Sequence, residues 1–284
     1  MIHLPRAFGR GARASWLLAI GSAASLVMAG GLPAARIGAL SAQPLKAGLY
    51  LLSSQAGNSV LRLSGNGLIL VDGQRAADYA DLLAMIRKID KQPIVAVINT
   101  DHDAVHAGSN ARFLAEKIPV IGQRNELALI TEADPNGAPP SVTFEQDETM
   151  HFGRGHTDAD TIVHVPDSKA VALGELYAAQ PDPDYAAGGS LLEWDKALAD
   201  VLGLDFSLAI PGRGAPVTRA DVESLRSRLD SLVDRAARLV ADGVPKDRFE
   251  RDLREEAPGR RLDFTATQID GFYDELLRAH NRTP

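Results

Sequence analysis

The chain has 284 residues, 45% of them hydrophobic but only 5% aromatic, with a formal charge of -7 and no cysteine. That length and apolar content suit one large α/β domain. The missing cysteine excludes disulfides, thiolate metal ligands and a lipidated N-terminus, and no basic stretch interleaved with aromatics points to nucleic acid.

Arg6, Arg10 and Arg13 precede a mostly apolar run from Ala14 to Ala29, followed by Gly/Pro-rich sequence. This is the layout of a secretory signal peptide. Ala39-Leu40-Ser41 fits the small-x-small cleavage signal, with Val27-Met28-Ala29 as a weaker alternative. Gly21, Gly30, Gly31 and Pro33 interrupt the run, which argues against a membrane span of ~20 apolar residues. The expectation is a signal peptide over 1–41, a mature domain over 42–284, and a periplasmic or secreted protein without stable membrane association. Removal of the leader takes away four arginines and no acid. The mature chain keeps 26 basic against 37 acidic residues, a charge of -11, which reads as solubility.

The mature chain begins with two short strands, Gly48 to Ser54 and Asn58 to Leu63, and a third, Gly67 to Val71, ending at the turn pair Asp72-Gly73. Leu82, Leu83, Ile86 and Ile89 give Tyr79 to Ile89 helical spacing. Pro93 to Ile98 is an apolar, β-branched run suited to a buried strand. Asn110 to Glu116 reads as helix, Pro119 to Ile121 as strand, and Glu126 to Ser141 as part helix, part loop. Thr161 to Val165 and Ala170 to Leu173 are strands joined at Pro166-Asp167-Ser168, Gly189 to Leu202 a helix, and Phe206 to Ile210 a strand before the tight loop Pro211-Gly212-Arg213-Gly214. Thr218 caps the next helix, with Asp221 as a capping-box partner. That helix buries a stripe from Val222 to Val240 and ends at Gly243. Two short helices follow between Asp247 and Arg278. Strands, then alternation, then helices suggest two sheets between helical layers, with a C-terminal helical part over 218–284.

Three clusters at strand ends carry the chemistry. They are Asn99-Thr100-Asp101-His102-Asp103-Ala104-Val105-His106-Ala107-Gly108, Gly155-His156-Thr157-Asp158-Ala159-Asp160, and Gly174-Glu175-Leu176. Carboxylates and imidazoles together are the donors of a zinc, iron or manganese site. In an extended turn, Asp101 and Asp103 would point one way and His102 the other. His164 reads as packing within a strand, and His151 has no assigned role.

These residues resemble the metallo-β-lactamase superfamily over Gly48 to about Val240. The family motif Asn-Thr-His-x-His-x-Asp-His-x-Gly aligns with Asn99 to Gly108. The motif Gly-x-x-His-Thr-x-x-Asp aligns with Gly153 to Asp160, Gly-Asp-Leu with Gly174-Glu175-Leu176, and Pro-Gly-His-Gly with Pro211-Gly212-Arg213-Gly214. The resemblance implies a four-layer αββα metallo-β-lactamase-like sandwich with C-terminal helices. The stretch from Phe144 to His156 is shorter than in relatives, as though a hairpin were missing before Gly153.

The resemblance also implies the site, in degenerate form. Its first metal would fall to Asp101, Asp103 and His156, a harder set than three imidazoles and better matched to iron or manganese. Zinc is the family's usual metal. For a second metal His106 and Glu175 remain. Val105 cannot ligate, however, and Arg213 puts a fixed positive charge where the family has an imidazole. The implied enzyme is a mononuclear metal-dependent hydrolase acting on an ester, lactone or amide of a small molecule, with Glu175 and His106 handling protons and Asp160 supporting the ligands. Arg213 would bind a substrate carboxylate or phosphate, or neutralise Asp101, Asp103 and Glu175 without a metal. The alternative is a catalytically silent relative binding an anion or a protein partner in a remnant site.

Overall fold

The structure, a computed structural model, describes residues 35–133, 137–145, 151–178, 180–255 and 263–281. The leader expected at the N-terminus lies outside the described residues up to 34, and the shortened stretch before Gly153 lies partly outside them, at 146–150. The chain divides at 150/151 into two compact units, each with its own sheet and core.

The first unit runs β1 (Ala35–Ile37), β2 (Leu40–Lys46), β3 (Leu49–Ser53), β4 (Asn58–Ser64), β5 (Gly67–Val71), α1 (Tyr79–Ile89), β6 (Ile94–Ile98), α2 (Ala104–Ala107), α3 (Asn110–Ala115), β7 (Val120–Gln123), α4 (Glu126–Ala133) and β8 (Val142–Phe144). The strands form one sheet in sequence order. Turns too short to cross the sheet join β1 to β5, so these strands pair antiparallel. Helices intervene from β5 onward, and β5 to β8 pair in parallel. Gly67 permits the tight entry into β5: its φ is +129°, and a Cβ there would lie 2.5 Å from Val95 Cγ1 and 2.9 Å from the Pro93 carbonyl. The stripe of α1 buries Leu82, Leu83, Met85 and Ile86 in one cluster with Leu52, Leu61, Leu70 and Val97.

The second unit runs β9 (Val163–Val165), β10 (Ala170–Gly174), α5 (Leu191–Leu202), β11 (Leu208–Pro211), β12 (Val217–Thr218), α6 (Arg219–Ala241), α7 (Lys246–Glu255) and α8 (Ala266–His280). Its sheet again follows sequence order. β9 turns back on β10 through Pro166–Ser168, while α5 carries the chain to β11, parallel to β10. The box at Thr218 and Asp221 forms as its spacing predicts, with both reciprocal hydrogen bonds. A second box, Thr265 with Gln268, starts α8. The α6 stripe buries Val222, Leu225, Leu229, Leu232, Ala236, Leu239 and Val240 in a core that includes Trp194, Phe249 and Phe272. Emptying one such aromatic site costs about 3–5 kcal/mol.

Four strands differ from the sequence expectation. β8 is a short edge strand with Val142 exposed, β12 has only two residues, and β1–β2 occupy part of the sequence read as leader. β1, β8 and β12 have three residues or fewer, too short for alternation to stand out from the surrounding loops.

Candidate functional site

In the first unit the acidic cluster hangs from the C-terminal end of β6, beside the end of β5. Asp72, the first residue after β5, sits at φ +63°, a left-handed conformation that aspartate tolerates better than most residues. Its buried carboxylate accepts the Thr100 amide proton at 2.7 Å through Oδ1 and the Thr100 hydroxyl proton at 2.8 Å through Oδ2. Oδ2 also lies 3.0 Å from Nδ1 of His106. A carboxylate holding these contacts only accepts, so His106 carries its proton on Nδ1. The Gly73 amide donates to the His106 carbonyl at 2.7 Å, so Asp72 and Gly73 hold this histidine by ring and backbone together.

His106 Nε2 is thereby turned toward Asp101, 3.7 Å from Oδ2. Two donors of one ion at ~2.1 Å bond lengths stand about 3.4 Å apart in tetrahedral geometry, close to this spacing. Asp101 is fully buried, and its Oδ1 accepts the Asp103 amide proton at 2.8 Å. Asp101, His102 and Asp103 each place a donor atom within 4.8 Å of the other two. The expectation that His102 turns away fails because 101–103 is not extended: the bond from Asp103 to the Asp101 side chain and that from the His106 amide to the Asp103 carbonyl make it a turn, and alternation does not hold.

Glu126 is a further buried acid that the sequence reading passed over. Its Oε2 accepts from Asn99 Nδ2 at 2.9 Å and its Oε1 from the Gln123 amide at 3.0 Å. Burial pushes its carboxyl well above the usual range, with the charges of Asp101 and Asp72 adding to the effect. Gly122 makes room for it, since a Cβ there would stand 2.5 Å from Oε1. Glu126 thus braces Asn99, two residues before Asp101.

In the second unit the His-Thr-x-x-Asp loop is organised by its own residues. Asp160 Oδ1 accepts the Thr157 amide and hydroxyl protons at 3.0 and 2.7 Å, and Thr157 Oγ1 accepts the Ala159 amide proton at 3.1 Å. Asp160 shapes the loop that presents His156. The Nδ1 of His156 is hydrogen-bonded to the Asp182 carbonyl, which assigns the proton to Nδ1 and leaves Nε2 as the nitrogen able to ligate. Gly189 must be glycine, because a Cβ would lie 2.3 Å from the His156 carbonyl.

Glu175 follows β10 and Arg213 follows β11, neighbours that pair in parallel at Gly174 and Pro211. The register brings Arg213 Nε to 3.4 Å from Glu175 Oε1, the arginine side chain 49% exposed and the carboxylate 7%. His151 Nδ1 donates to the Asp160 carbonyl at 2.7 Å, and His164 Nε2 lies 3.1 Å from the Asp205 carbonyl. Thus the first unit gathers Asp101, Asp103 and His106, and the second holds His156 with Asp160, and Glu175 with Arg213.

No protein family profile and no curated protein matches the sequence. Solved structures do. The crystal structure of DIM-1 metallo-β-lactamase superposes with a TM-score of 0.61 at 17% identity, over 69% of this chain and 99% of that one. That of a metallo-β-lactamase from Erythrobacter litoralis, with β-mercaptoethanol in its active site, gives 0.63 at 15% identity over 70% and 99%. The chain has the metallo-β-lactamase fold. FIM-1 from Pseudomonas aeruginosa, in its mono-zinc form, agrees, with 0.58 at 18% identity over 67% and 94%. The expected class, mixed α/β with two sheets and C-terminal helices, is therefore borne out. Below a fifth identity the likeness carries the metallo-β-lactamase architecture, while the chemistry rests on the side chains.

Proposed function

We propose that this chain is an exported metal-dependent hydrolase that holds one divalent ion and cleaves an ester, lactone or amide-type bond in a small molecule. The observation that carries the reading is the donor set after β6 in a metallo-β-lactamase fold: buried Asp101, Asp103 beside it, and His106 with its Nε2 turned to Asp101 by Asp72. Carboxylate oxygens beside an imidazole nitrogen suit manganese, iron or zinc. The mono-zinc form of FIM-1 is a precedent for single occupancy in this fold. When bound, such an ion brings the pKa of a coordinated water toward neutrality and polarises a carbonyl.

The chain's own residues do the rest. Asp72 fixes the tautomer of His106 with the proton on Nδ1, so Nε2 is the nitrogen that would ligate the ion. Asp101 Oδ1 accepts the Asp103 amide proton, and Oδ2 is the oxygen that faces His106 Nε2. In the second unit the bond of His156 to the Asp182 carbonyl leaves Nε2 as its basic nitrogen. Glu175 is the candidate proton carrier.

One contact favours a second reading. A guanidinium already beside Glu175 stands in for a cation, and a silent relative would use Arg213 to bind a carboxylate or phosphate. Metal analysis of the purified protein supplied with zinc, iron and manganese, followed by turnover of generic esters, lactones and lactams, separates the two. Bound metal with chelator-sensitive turnover supports the hydrolase. Absence of both with every ion overturns it and leaves the second reading, which predicts phosphate or acetate binding that Arg213→Ala abolishes.

A further inference from the structure

We propose that His102 is itself a metal ligand, so that Asp101, His102 and Asp103 form a three-donor cation site on one turn of the first unit. This rests on the metal-dependent reading above and adds a residue that the resemblance leaves without a role.

Three observations converge. A donor atom from each of the three side chains lies within 4.8 Å of the other two. Donors around one ion at ~2.1 Å stand about 3.0 to 4.2 Å apart in tetrahedral or octahedral geometry, so small side-chain rotations close the set. Second, the His102 side chain is 8% exposed, and its Nδ1 is buried with no hydrogen-bond partner among the described residues. Its Nε2 stands 3.9 Å from Asp103 Oδ1, beyond hydrogen-bond reach. A buried Nδ1 with no hydrogen bond loses its solvation without compensation, about 1–3 kcal/mol, and a cation at the cluster would give the ring a partner. Third, the turn is preformed. The Asp72 carboxylate holds Thr100, Glu126 holds Asn99, and Asp101 holds the Asp103 amide. A site organised before the ion arrives binds it with less ordering to supply.

Two carboxylates and a neutral imidazole sum to -2, matching a divalent ion, and the oxygen-rich set selects manganese, iron or zinc over soft copper. Asp101 is common to this set and to the pair with His106, so one ion at Asp101 can draw on either imidazole.

The test uses the full chain titrated with Zn²⁺ and Mn²⁺ alone, read by calorimetry and by the Mn²⁺ spin-resonance signal, for the wild type, His102→Ala and His102→Gln. The expected result is about one ion per wild-type chain and a 10- to 100-fold weaker affinity in both variants. Should the alanine variant fail to fold, the wild type labelled with ¹⁵N-histidine decides: Zn²⁺ must shift an imidazole signal that the glutamine variant lacks. Affinity unchanged in a folded variant, or His102 signals that ignore zinc, overturns this assignment while leaving the hydrolase reading intact. No uptake of either ion by the wild type overturns both.

Discussion

The Asp72 carboxylate lies 3.0 Å from Nδ1 of His106 while holding both the amide and hydroxyl protons of Thr100. One side chain at the end of β5 therefore fixes the conformation at the end of β6 and the tautomer of a candidate ligand. Asp72→Asn keeps a side chain that tolerates φ +63° but cannot accept from all three donors. The expected loss is about 1–3 kcal/mol of stability and a 10- to 100-fold weaker metal affinity, measured by urea denaturation and zinc titration. An unchanged denaturation midpoint would show that Thr100 and His106 do not depend on this carboxylate.

Glu126 makes stability depend on pH. Its folded pKa lies well above the unfolded value of about 4.3, so the native state binds a proton that the unfolded state has released. Stability is full below pH 4.3 with respect to this group. It falls with rising pH by up to about 1.4 kcal/mol per unit until the folded carboxyl ionises. Glu126→Gln removes the titrating group while keeping its shape. The expected outcome is a flatter stability profile above pH 5, with the variant the more stable at pH 8. Parallel profiles for the two proteins would contradict the assignment.

Gly189→Ala tests the packing beneath His156. A Cβ would meet the His156 carbonyl at 2.3 Å and Asp184 backbone atoms at 2.8 and 2.9 Å. These are backbone groups that cannot swing aside as a long side chain can. The expected cost is about 1–3 kcal/mol, read as a fall in Tm. A Tm within a degree of wild type would mean that the loop yields.

Arg213→Met leaves the poorly exposed Glu175 without its guanidinium. Because the arginine is half exposed, solvent screens the pair, and the expected loss is about 1 kcal/mol. The loss should shrink in 1 M salt. The same loss in low and high salt would point to packing by the arginine stem.

Export remains a proposal from the N-terminal sequence, and the first hairpin bears on where the leader would be cut. Ile37 pairs with Leu40, which is 2% exposed in the first core, so cleavage at Ala39-Leu40-Ser41 would remove β1 and open that core. The expected mature N-terminus lies upstream, near Val27-Met28-Ala29, as mass spectrometry of the exported protein would show. A mature chain starting at 42 would contradict this.

The sequence exposed the fold well where periodicity and turn chemistry agree, as in α1, β6, β10 and α6 with its Thr218 box. It exposed the site as clusters at strand ends. What it hid depends on partners distant along the chain. Asp72 meets Thr100 across 28 residues, and Glu126 meets Asn99 across 27. Asp72 looked like half of a turn pair and Glu126 like the first acid of a helix, because nothing local marks either as buried. His102 was misplaced for another reason: an alternation rule suited to strands was applied where a side-chain hydrogen bond bends the chain.

In both sheets every strand lies beside its immediate predecessor in the chain. Each pairing therefore joins strands that follow one another in the chain rather than recruiting a segment from its far end, a topology that favours rapid folding. The groups that shape the acidic turn, Asp72 with Thr100 and His106 and Glu126 with Asn99, all lie in the first unit, so the turn draws none of these bonds from the last 134 residues of the chain.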